Sequence, residues 1–401
     1  MADDAQGPLR SLRVLDASRV LAGPFCGQIL GDLGAEVIKV ERPGIGDETR
    51  GWGPPFAAHF SAYFLSCNRN KRSLALDLAQ REGVDLFYAL IRRADVLLEN
   101  FRPTSAERLG LNIEKLFQVN PRLIICSISG FGRTGPLKDL PGYDFAIQAL
   151  SGLMSNTGPV DGPPCKVGVA ITDVLTGLYA AVGVLACLRA RNESGHGYAI
   201  DLALLDCAVA AQVNLAQAFL TSGVLPPRQG NAHLQIVPYQ LFATADDWLV
   251  LAVGNDDQWL HFCHAAERPD LACDERFCTN SLRVANRKVL IPELEAVLKQ
   301  RSTAAWQASL SAARVPHAPI WNYQDLFTHP QTVERGLKVA VTDPSGKPVD
   351  LVGSPFHILG AQFREPTFPP ALGADTDSLL EELAGLDTNR IRELRNTGVI
   401  G

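Results

Sequence analysis

The sequence lacks an excess of positive charge and any long apolar run. Its 401 residues carry 37 lysines and arginines against 43 aspartates and glutamates, a net charge of −6. This balance excludes a general nucleic-acid binder, which needs a clustered positive face, but it allows a local basic pocket for an anion. The longest charge-free apolar run covers 11 residues, 178–188, well short of the roughly 20 that span a bilayer. We expect no nucleic-acid partner and no membrane span.

Paired cysteines and a targeting segment are also lacking. None of the nine cysteines forms a Cys-x-x-Cys pair, and several, such as Cys126 and Cys187, lie in apolar stretches. An odd number of cysteines in such settings indicates free thiols in a reducing compartment. The first residues, MADDAQGPLRSLRVLD, have neither the basic region nor the apolar region of a signal peptide. We expect a cytoplasmic protein without a metal site.

What the first half does contain is an alternation of strand and helix patterns. Buried strands are predicted for LRVLDAS, AEVIKVERPG, SLALDL, DVLLENF and RLIICSISGF, and helices for GPFCGQILGDLGA, REGVDLFYALIRRA and the region 105–120. Strands separated by helices in this way form parallel sheets. The pattern predicts a doubly wound α/β fold, and a chain of this length favours two domains.

The pattern changes from Tyr143 onward. A Gly/Pro-rich loop, NTGPVDGPPCKVG, precedes a helix that is apolar nearly all round, VLTGLYAAVGVLACLRAR, as a fully buried helix would be. GHGYAIDLALLD is predicted to run from a strand into another apolar helix, and PYQLFATADDWLVLAV to form strand, turn and strand. Residues 255–330 are predicted to be helical, interrupted by a loop at RVPHAPIWN, and a helix follows near the C-terminus.

Three sequence patterns were considered as possible functional sites, and none of them indicates one. Gly130, Gly132 and Gly135 match the G-x-G-x-x-G spacing after a predicted strand, but no helix starts there to meet a pyrophosphate, so a dinucleotide site is not indicated. No G-x-S-x-G motif is present, which argues against a hydrolase elbow. His261 and His264 form the one close histidine pair, and no further ligand is placed to complete a metal site.

Basic residues cluster in the first half, at or just beyond the predicted carboxyl ends of strands. They are Lys39, Arg42, Arg69, Lys71, Arg72, Arg102, Arg108, Arg133 and Lys138. Each alone is best explained as solvated surface charge. Together they favour a phosphorylated ligand such as a nucleotide or coenzyme A, because open α/β sheets bind ligands at that edge.

Asp173 is the most informative single residue. It stands between the Gly/Pro-rich loop and the apolar helix, with no other charge in the fifteen residues that follow. One interpretation is an N-cap, for which aspartate is a preferred residue. The other is a nucleophile towards an activated carbonyl, kept ionised by the helix dipole. The residues alone leave both open.

Several strings together resemble the class III (family III) CoA-transferases. They are RVLDASRVLAGPF, LGDLGAEVIKVERPGIGD, NRNKRSLALDL, ADVLLENFRP, GFGRTGP, GYDFAIQALSGLMSNTG and GVAITDVLTGLYA, and the resemblance extends from Leu9 to the C-terminal helix. That family contains formyl-CoA:oxalate and carnitine CoA-transferases and methylacyl-CoA racemase. Within it, VLAGPF, NRNKRS, SGLMSNTGP and IVPYQLF are most similar to succinyl-CoA:glutarate and other succinyl-CoA:dicarboxylate transferases.

The resemblance implies a fold and an assembly. The family's fold is a homodimer of two interlocked rings, each with a Rossmann-like large domain and a smaller α+β domain. The large domain then takes residues 1–220, with 330–401 returning to it, and the small domain takes 225–325.

The resemblance also implies the site. The catalytic aspartate falls on Asp173, and coenzyme A or substrate contacts fall on Val20, Leu21, Ala22, Arg42, Leu76, Asn100, Phe101, Arg108 and Tyr143. No tightly bound cofactor is expected, because coenzyme A thioesters are substrates. Family racemases carry histidine where this chain has Tyr143. The long glycine-rich loop of formyl-CoA transferase is missing, so Gly230 and His233 in GNAHLQIVPY are not assigned.

The implied activity is transfer of coenzyme A from an acyl-CoA, with succinyl-CoA suggested, to a carboxylic acid through an anhydride and an aspartyl-CoA thioester. The distal carboxylate of a dicarboxylate acceptor needs a cation, for which Arg19, Arg72, Lys166 and His233 are candidates. Glutarate, malate, citramalate and itaconate remain open as acceptors. The alternatives are a 2-methylacyl-CoA racemase or epimerase of the same family and a non-catalytic CoA-binding protein.

Overall fold

The computed structural model describes residues 7–401, which divide into two units. One unit contains residues 7–153, 167–213 and 330–401, and the other contains 154–166 and 214–329. The chain therefore leaves the first unit twice and returns to it twice. Residues 154–166 belong to the second unit, whereas the sequence analysis assigned them to the large domain.

A six-stranded parallel sheet forms the centre of the first unit. Its strands are Arg13–Asp16 (β1), Glu36–Glu41 (β2), Lys71–Ala75 (β3), Val96–Glu99 (β4), Ile124–Ser129 (β5) and Tyr198–Ala203 (β6). They lie in the order β3-β2-β1-β4-β5-β6, with every neighbouring pair parallel. The order reverses between β1 and β4, as in a Rossmann-like sheet. The predicted α/β fold with a parallel sheet is confirmed.

The remaining elements of this unit surround the sheet. The helices are Ala22–Asp32, Ala62–Cys67, Arg81–Ile91, Pro103–Arg108, Ile113–Val119, Asp144–Leu150, Ile171–Ser194, Leu204–Ala210, Pro330–Glu334, Thr376–Leu379 and Thr388–Asn396, with single turns at Glu48–Gly51 and Leu380–Ala384. Two hairpins pair Phe56–Ala57 with Phe60–Ser61 and Lys338–Thr342 with Pro348–Val352. The single helix predicted near 105–120 is wrong, because Gly110 turns the chain at φ 71° and Asn112 caps a second helix by accepting from Lys115 N.

The two faces of the sheet pack into separate hydrophobic cores, since successive side chains of a strand point to opposite faces. On one face, Leu15 and Leu97 pack with the helix Arg81–Ile91 and the C-terminal helices. On the other face, Val14 and Leu98 pack with the helices Ala22–Asp32 and Ile171–Ser194. Both faces are covered, which explains why the central strands β4 (VLLE) and β5 (IICSIS) are mainly apolar on both faces.

By length and composition, the 24-residue helix Ile171–Ser194 could cross a membrane. Core helices of soluble proteins satisfy the same criterion, and here Ala180, Ala181 and Val184 are buried against the sheet. A second candidate arises only if Leu204–Ala210 and Val213–Ser222 are counted as one span. The absence of a membrane span stays a prediction.

The second unit has its own small sheet and core. Tyr239–Ala243, Trp248–Ala252 and His317–Pro319 form an antiparallel sheet, so the predicted strand, turn and strand are confirmed, while the predicted loop RVPHAPIWN contains an edge strand. Its helices are Leu153–Asn156, Val213–Ser222, Asp256–Ala265, Pro269–Cys273, Asn280–Ala285, Arg287–Leu298, Thr303–Ala312 and Tyr323–Thr328, the first two beginning at the last residues of the first unit. Trp259 and Trp306 are fully buried in its core.

Candidate functional site

A cavity of 770 Å³ lies in the first unit, outside the carboxyl ends of the parallel strands. Segments that follow β1, β2, β3, β4 and β5 line it, together with Leu204 just after β6. This is the crevice where a sheet whose strand order reverses binds its ligand. The location matches the edge predicted from the sequence.

Most of the predicted site residues line this cavity. They are Val20, Ala22, Arg42, Leu76, Asn100, Phe101, Tyr143 and Asp173. Leu21 and Arg108 are not among the lining residues: Leu21 is the N-cap residue of the helix Ala22–Asp32, and Arg108 is an exposed residue at the end of Pro103–Arg108. Arg42, Arg102 and Lys138 add exposed positive charge to the cavity wall.

Several of the clustered basic residues have a different role. Lys39 Nζ lies 2.9 Å from Asp47, and Lys71 Nζ lies 2.8 Å from Asp16, both completely buried. Likewise Arg69 pairs with Asp32, Arg72 with Glu36 and Arg133 with Glu99. The prediction that these five cations help to bind an anionic ligand is wrong, because none of them is among the residues that line the cavity and each is paired with a carboxylate elsewhere.

The buried pair Lys39–Asp47 supports the loop after β1. Val20 adopts φ 71°, a left-handed conformation that costs free energy for a β-branched residue. Its N–H donates to the Asp47 carboxylate at 3.2 Å. Although burial alone would lower the pKa of Lys39, the carboxylates of Asp16 and Asp47 raise it, so the ammonium stays charged. The pair therefore holds a strained backbone turn on the cavity wall.

Asp173 is in the first turn of Ile171–Ser194 but is not its N-cap. Ala170 occupies the N-cap position and makes no side-chain capping bond, so the capping interpretation is wrong. Burial and the negative charge of Asp144 raise the pKa of Asp173 to about 7. The sequence analysis expected the helix dipole to keep Asp173 ionised, whereas its pKa is raised. A half-buried carboxylate with a raised pKa on a cavity wall is typical of a reactive group.

Asp144 caps that helix from outside. Thr172, the residue before Asp173, donates its N–H and its hydroxyl to Asp144 Oδ1 at 2.9 and 2.8 Å. Gln148 Nε2 donates to Asp144 Oδ2 at 2.8 Å. The sequence analysis missed Asp144 because its partner is 28 residues away, although it adjoins the singled-out Tyr143.

Tyr63 is a second residue that the sequence analysis missed. Burial, and then the charge of Asp173, raise the pKa of its phenol, which places this ring in the electrostatic environment of Asp173. The ring packs edge-on against Trp52 with centroids 5.0 Å apart. Tyr63 lies on the six-residue helix Ala62–Cys67, and no sequence motif points to it.

The residues described hold no cluster of three or more potential metal ligands. All nine cysteines, which lie within 7–401, are free thiols.

Four residues were predicted as candidates for binding the distal carboxylate of the acceptor. Arg19 lines the cavity and pairs with Glu48 at 3.1 Å, whereas Arg72 pairs with Glu36 and Glu382. In the second unit, His233 Nδ1 accepts from Gln235 N. Of the proposed carboxylate-binding candidates, Arg19 is therefore placed on the cavity.

The parallel α/β sheet has a ligand crevice at its strand ends, and a carboxylate of raised pKa lies in that crevice. This combination is typical of an enzyme with covalent or acid–base chemistry. The chain belongs to CoA-transferase family III, whose family model matches residues 9–376. It is therefore a CoA-transferase.

Known relatives align over nearly the whole chain. Succinyl-CoA:glutarate CoA-transferase of Mus musculus is 41% identical, covering 99% of this chain and 91% of that protein. Succinate–glutarate CoA-transferase of Agrobacterium fabrum is also 41% identical, covering 95% and 96% respectively. Among solved structures, a CAIB/BAIF family protein from Brucella suis has a TM-score of 0.83 at 42% identity, covering 94% of this chain and all of that one.

Proposed function

We propose that this enzyme moves coenzyme A from succinyl-CoA to a dicarboxylate through covalent intermediates on Asp173. The observation that carries the proposal is a half-buried carboxylate on the wall of the strand-end cavity, with its pKa raised to about 7. The activities named for the mouse and Agrobacterium relatives support succinyl-CoA as donor and glutarate as an acceptor.

The reaction proceeds by acyl transfers that conserve the activation of the thioester. An oxygen of ionised Asp173 attacks the thioester carbon of succinyl-CoA; a C–O bond forms, the C–S bond breaks, and coenzyme A leaves as the thiolate. The thiolate attacks the Asp173 side of this mixed anhydride, which forms the aspartyl-CoA thioester and releases succinate. The acceptor carboxylate then repeats both steps in reverse. No ATP is needed because the anhydride stays activated.

The surroundings of Asp173 suit this chemistry. A desolvated carboxylate is a stronger nucleophile than a hydrated one, and an anhydride survives only where water is excluded. The helix that follows Asp173 is apolar, with Thr176 and Gly177 buried in the next turn. The loop held by Asp47 supplies Val20 to the same wall, and the helix that follows this loop supplies Ala22.

For the acceptor, we propose that Arg19 binds the distal carboxylate. It lines the cavity, and Asn100 holds its backbone by accepting from its N–H at 3.1 Å and donating to its carbonyl oxygen at 2.8 Å. Arginine binds carboxylates in a bidentate manner. Arg19→Gln should raise the KM for glutarate by about tenfold and leave the KM for a monocarboxylate unchanged. An equal rise for both acceptors would contradict this role.

We further propose that the enzyme works as an interlocked homodimer. Large apolar side chains are exposed on the helices that carry Asp144 and Asp173, namely Phe145, Leu150, Tyr179 and Val182. A second copy would cover them. Dilution to nanomolar concentration should leave a dimer, and tagged and untagged stocks should not exchange subunits at 25 °C. Rapid exchange would argue against interlocking.

The experiment that tests the function is trapping at Asp173. Incubation with succinyl-CoA followed by hydroxylamine should convert Asp173 to a hydroxamate, located by peptide mass mapping. Asp173→Asn should reduce transfer by at least about 10³-fold while coenzyme A still binds. Asp206→Asn, at an exposed aspartate on the helix Leu204–Ala210, is the matched control and should retain activity. A near wild-type rate in Asp173→Asn, with deamidation excluded by mass, would place the nucleophile elsewhere.

A further inference from the structure

The carboxylate of Asp144 is bound directly to the first turn of the helix that carries Asp173. Its Oδ1 accepts both hydrogen bonds from Thr172, and its Oδ2 accepts from Gln148. Gln148 is itself held, because its Oε1 accepts from Val167 N at 2.9 Å. Thr172 and Gln148 are fully buried. All three contacts are donated to Asp144, which is the bonding pattern of an ionised carboxylate.

We propose that Asp144 is a positioning residue that orients Asp173 through Thr172 and that its charge favours the intermediates in which Asp173 is neutral. This inference rests on the proposed function. Ionised Asp173 and Asp144 repel each other. When Asp173 attacks the thioester carbon, its negative charge passes to the coenzyme A thiolate, and in the aspartyl-CoA thioester the charge has left with succinate. Each acylated state therefore relieves the repulsion.

No other charged group on the neighbouring elements explains this effect. The ionisable groups on the packed helices are Tyr63 on Ala62–Cys67, Cys26 on Ala22–Asp32, and Cys207 and Asp206 on Leu204–Ala210. The cavity wall adds Lys138, Asp47, Asp77 and Tyr143, the exposed Arg42 and Arg102, and Glu41, Glu48 and Arg19, of which Glu41 pairs with Arg50 and Glu48 with Arg19. Burial raises the pKa of Tyr63, Cys26 and Cys207, so these groups are neutral at pH 7. Asp47 is neutralised by Lys39, while Asp206 and Lys138 are exposed to solvent. After burial itself, Asp144 is the cause that raises the pKa of Asp173.

The test compares removal of the charge with removal of the contact. Asp144→Asn keeps an oxygen for Thr172 but removes the charge, and should move the acidic limb of the kcat/KM profile about one pH unit lower. At a fixed ratio of succinyl-CoA to succinate, the fraction of enzyme trapped as acylated Asp173 should fall about tenfold. Thr172→Val removes one donor and keeps the charge; it should lower kcat and leave the acidic limb in place.

A double variant keeps the proposal testable if Asp144→Asn fails to fold. Asp144→Asn combined with Gln148→Glu keeps every hydrogen bond by exchanging donor and acceptor. It moves the charge one hydrogen bond further from Thr172, so its acidic limb and its acylated fraction should lie below those of the wild type. An unchanged limb and acylated fraction in the folded variants would overturn the role of Asp144. If the wild type itself were never acylated at Asp173, the proposed function would fail instead.

Discussion

Gly177 lies against the carbonyl oxygen of Ala22, so close that a Cβ at position 177 would stand 2.8 Å from that oxygen. The same Cβ would lie 3.0 Å from the ring of Phe25. Because Gly177 is four residues after Asp173, both face the same side of the helix. Because glycine has no side chain, this face of the helix Ile171–Ser194 can approach the start of Ala22–Asp32, where Ala22 lines the cavity.

Gly177→Ala should therefore destabilise the protein by about 1–3 kcal/mol, since the backbone of Ala22 cannot move aside cheaply. It should also lower kcat, because the helix that carries Asp173 is displaced from the cavity wall. Denaturant unfolding and steady-state kinetics measure the two effects. Gly183→Ala in the same helix is the control: its Cβ would meet only the side chain of Ile200, at 3.4 Å, and alanine is the better helix former. Equal stabilities of the two variants would contradict the packing argument.

Activity should fall on the acidic side with an apparent pKa near 7. The nucleophile must be ionised, and burial together with Asp144 raises the pKa of Asp173 to about 7. The rate should therefore rise as the pH increases through 7 and be lost below it. The kcat/KM profile measures this, because it reports the free enzyme. An acidic limb near pH 4 would mean that Asp173 titrates as an ordinary aspartate.

The same raised pKa predicts a cost in stability. In the unfolded chain Asp173 ionises near its ordinary value of 3.8, whereas the folded state holds the proton up to about pH 7. The folded state is therefore penalised progressively as the pH rises from 3.8 to 7, and fully above 7. Asp173→Asn should raise the free energy of unfolding at pH 8 by about 1–2 kcal/mol, after discounting for screening of a half-buried group. The gain should be smaller at pH 5, which urea unfolding at both pH values would show.

The strands and the family could be predicted from the sequence because their signals are local. Strand β5 is a mainly apolar run followed by Gly130, and β2 alternates buried apolar residues with charged ones before Pro43. Asp173 stands out beside a long uncharged stretch of helix. The resemblance added the role of Asp173, which spacing alone left open between a cap and a nucleophile.

Pairing between distant residues could not be predicted. Lys71 and its partner Asp16 are 55 residues apart, and on the sequence Lys71 looks like part of a ligand-binding basic cluster. The link between Asp144 and Thr172 spans 28 residues and follows no motif. Such contacts depend on which strand ends are adjacent at the edge of the sheet, and the composition of the chain does not show which ends these are.

Removing the carboxylate that pairs with Lys39 should damage both the fold and the site. Asp47→Ala leaves an ammonium completely buried without its nearest partner and should cost about 3–5 kcal/mol. It also removes the acceptor for the strained Val20 N–H, so the KM for acyl-CoA should rise. Asp47→Asn, which keeps that acceptor, should raise the KM less at a similar loss of stability. Denaturant unfolding and kinetics of both variants separate the charge from the contact.

Finally, the enzyme should not exchange the α-proton of 2-methylacyl-CoA. Inverting an α-carbon requires a base on one face and an acid on the other, with pKa values near the working pH. The lining described for the strand-end cavity contains Asp173 and Tyr143 but no histidine. A phenol is a poorer acid and base for that work at neutral pH than an imidazole. Incubation in deuterated water should therefore leave the α-position unlabelled by mass spectrometry, with a family racemase as positive control. Rapid deuterium incorporation would instead favour racemase chemistry over transfer.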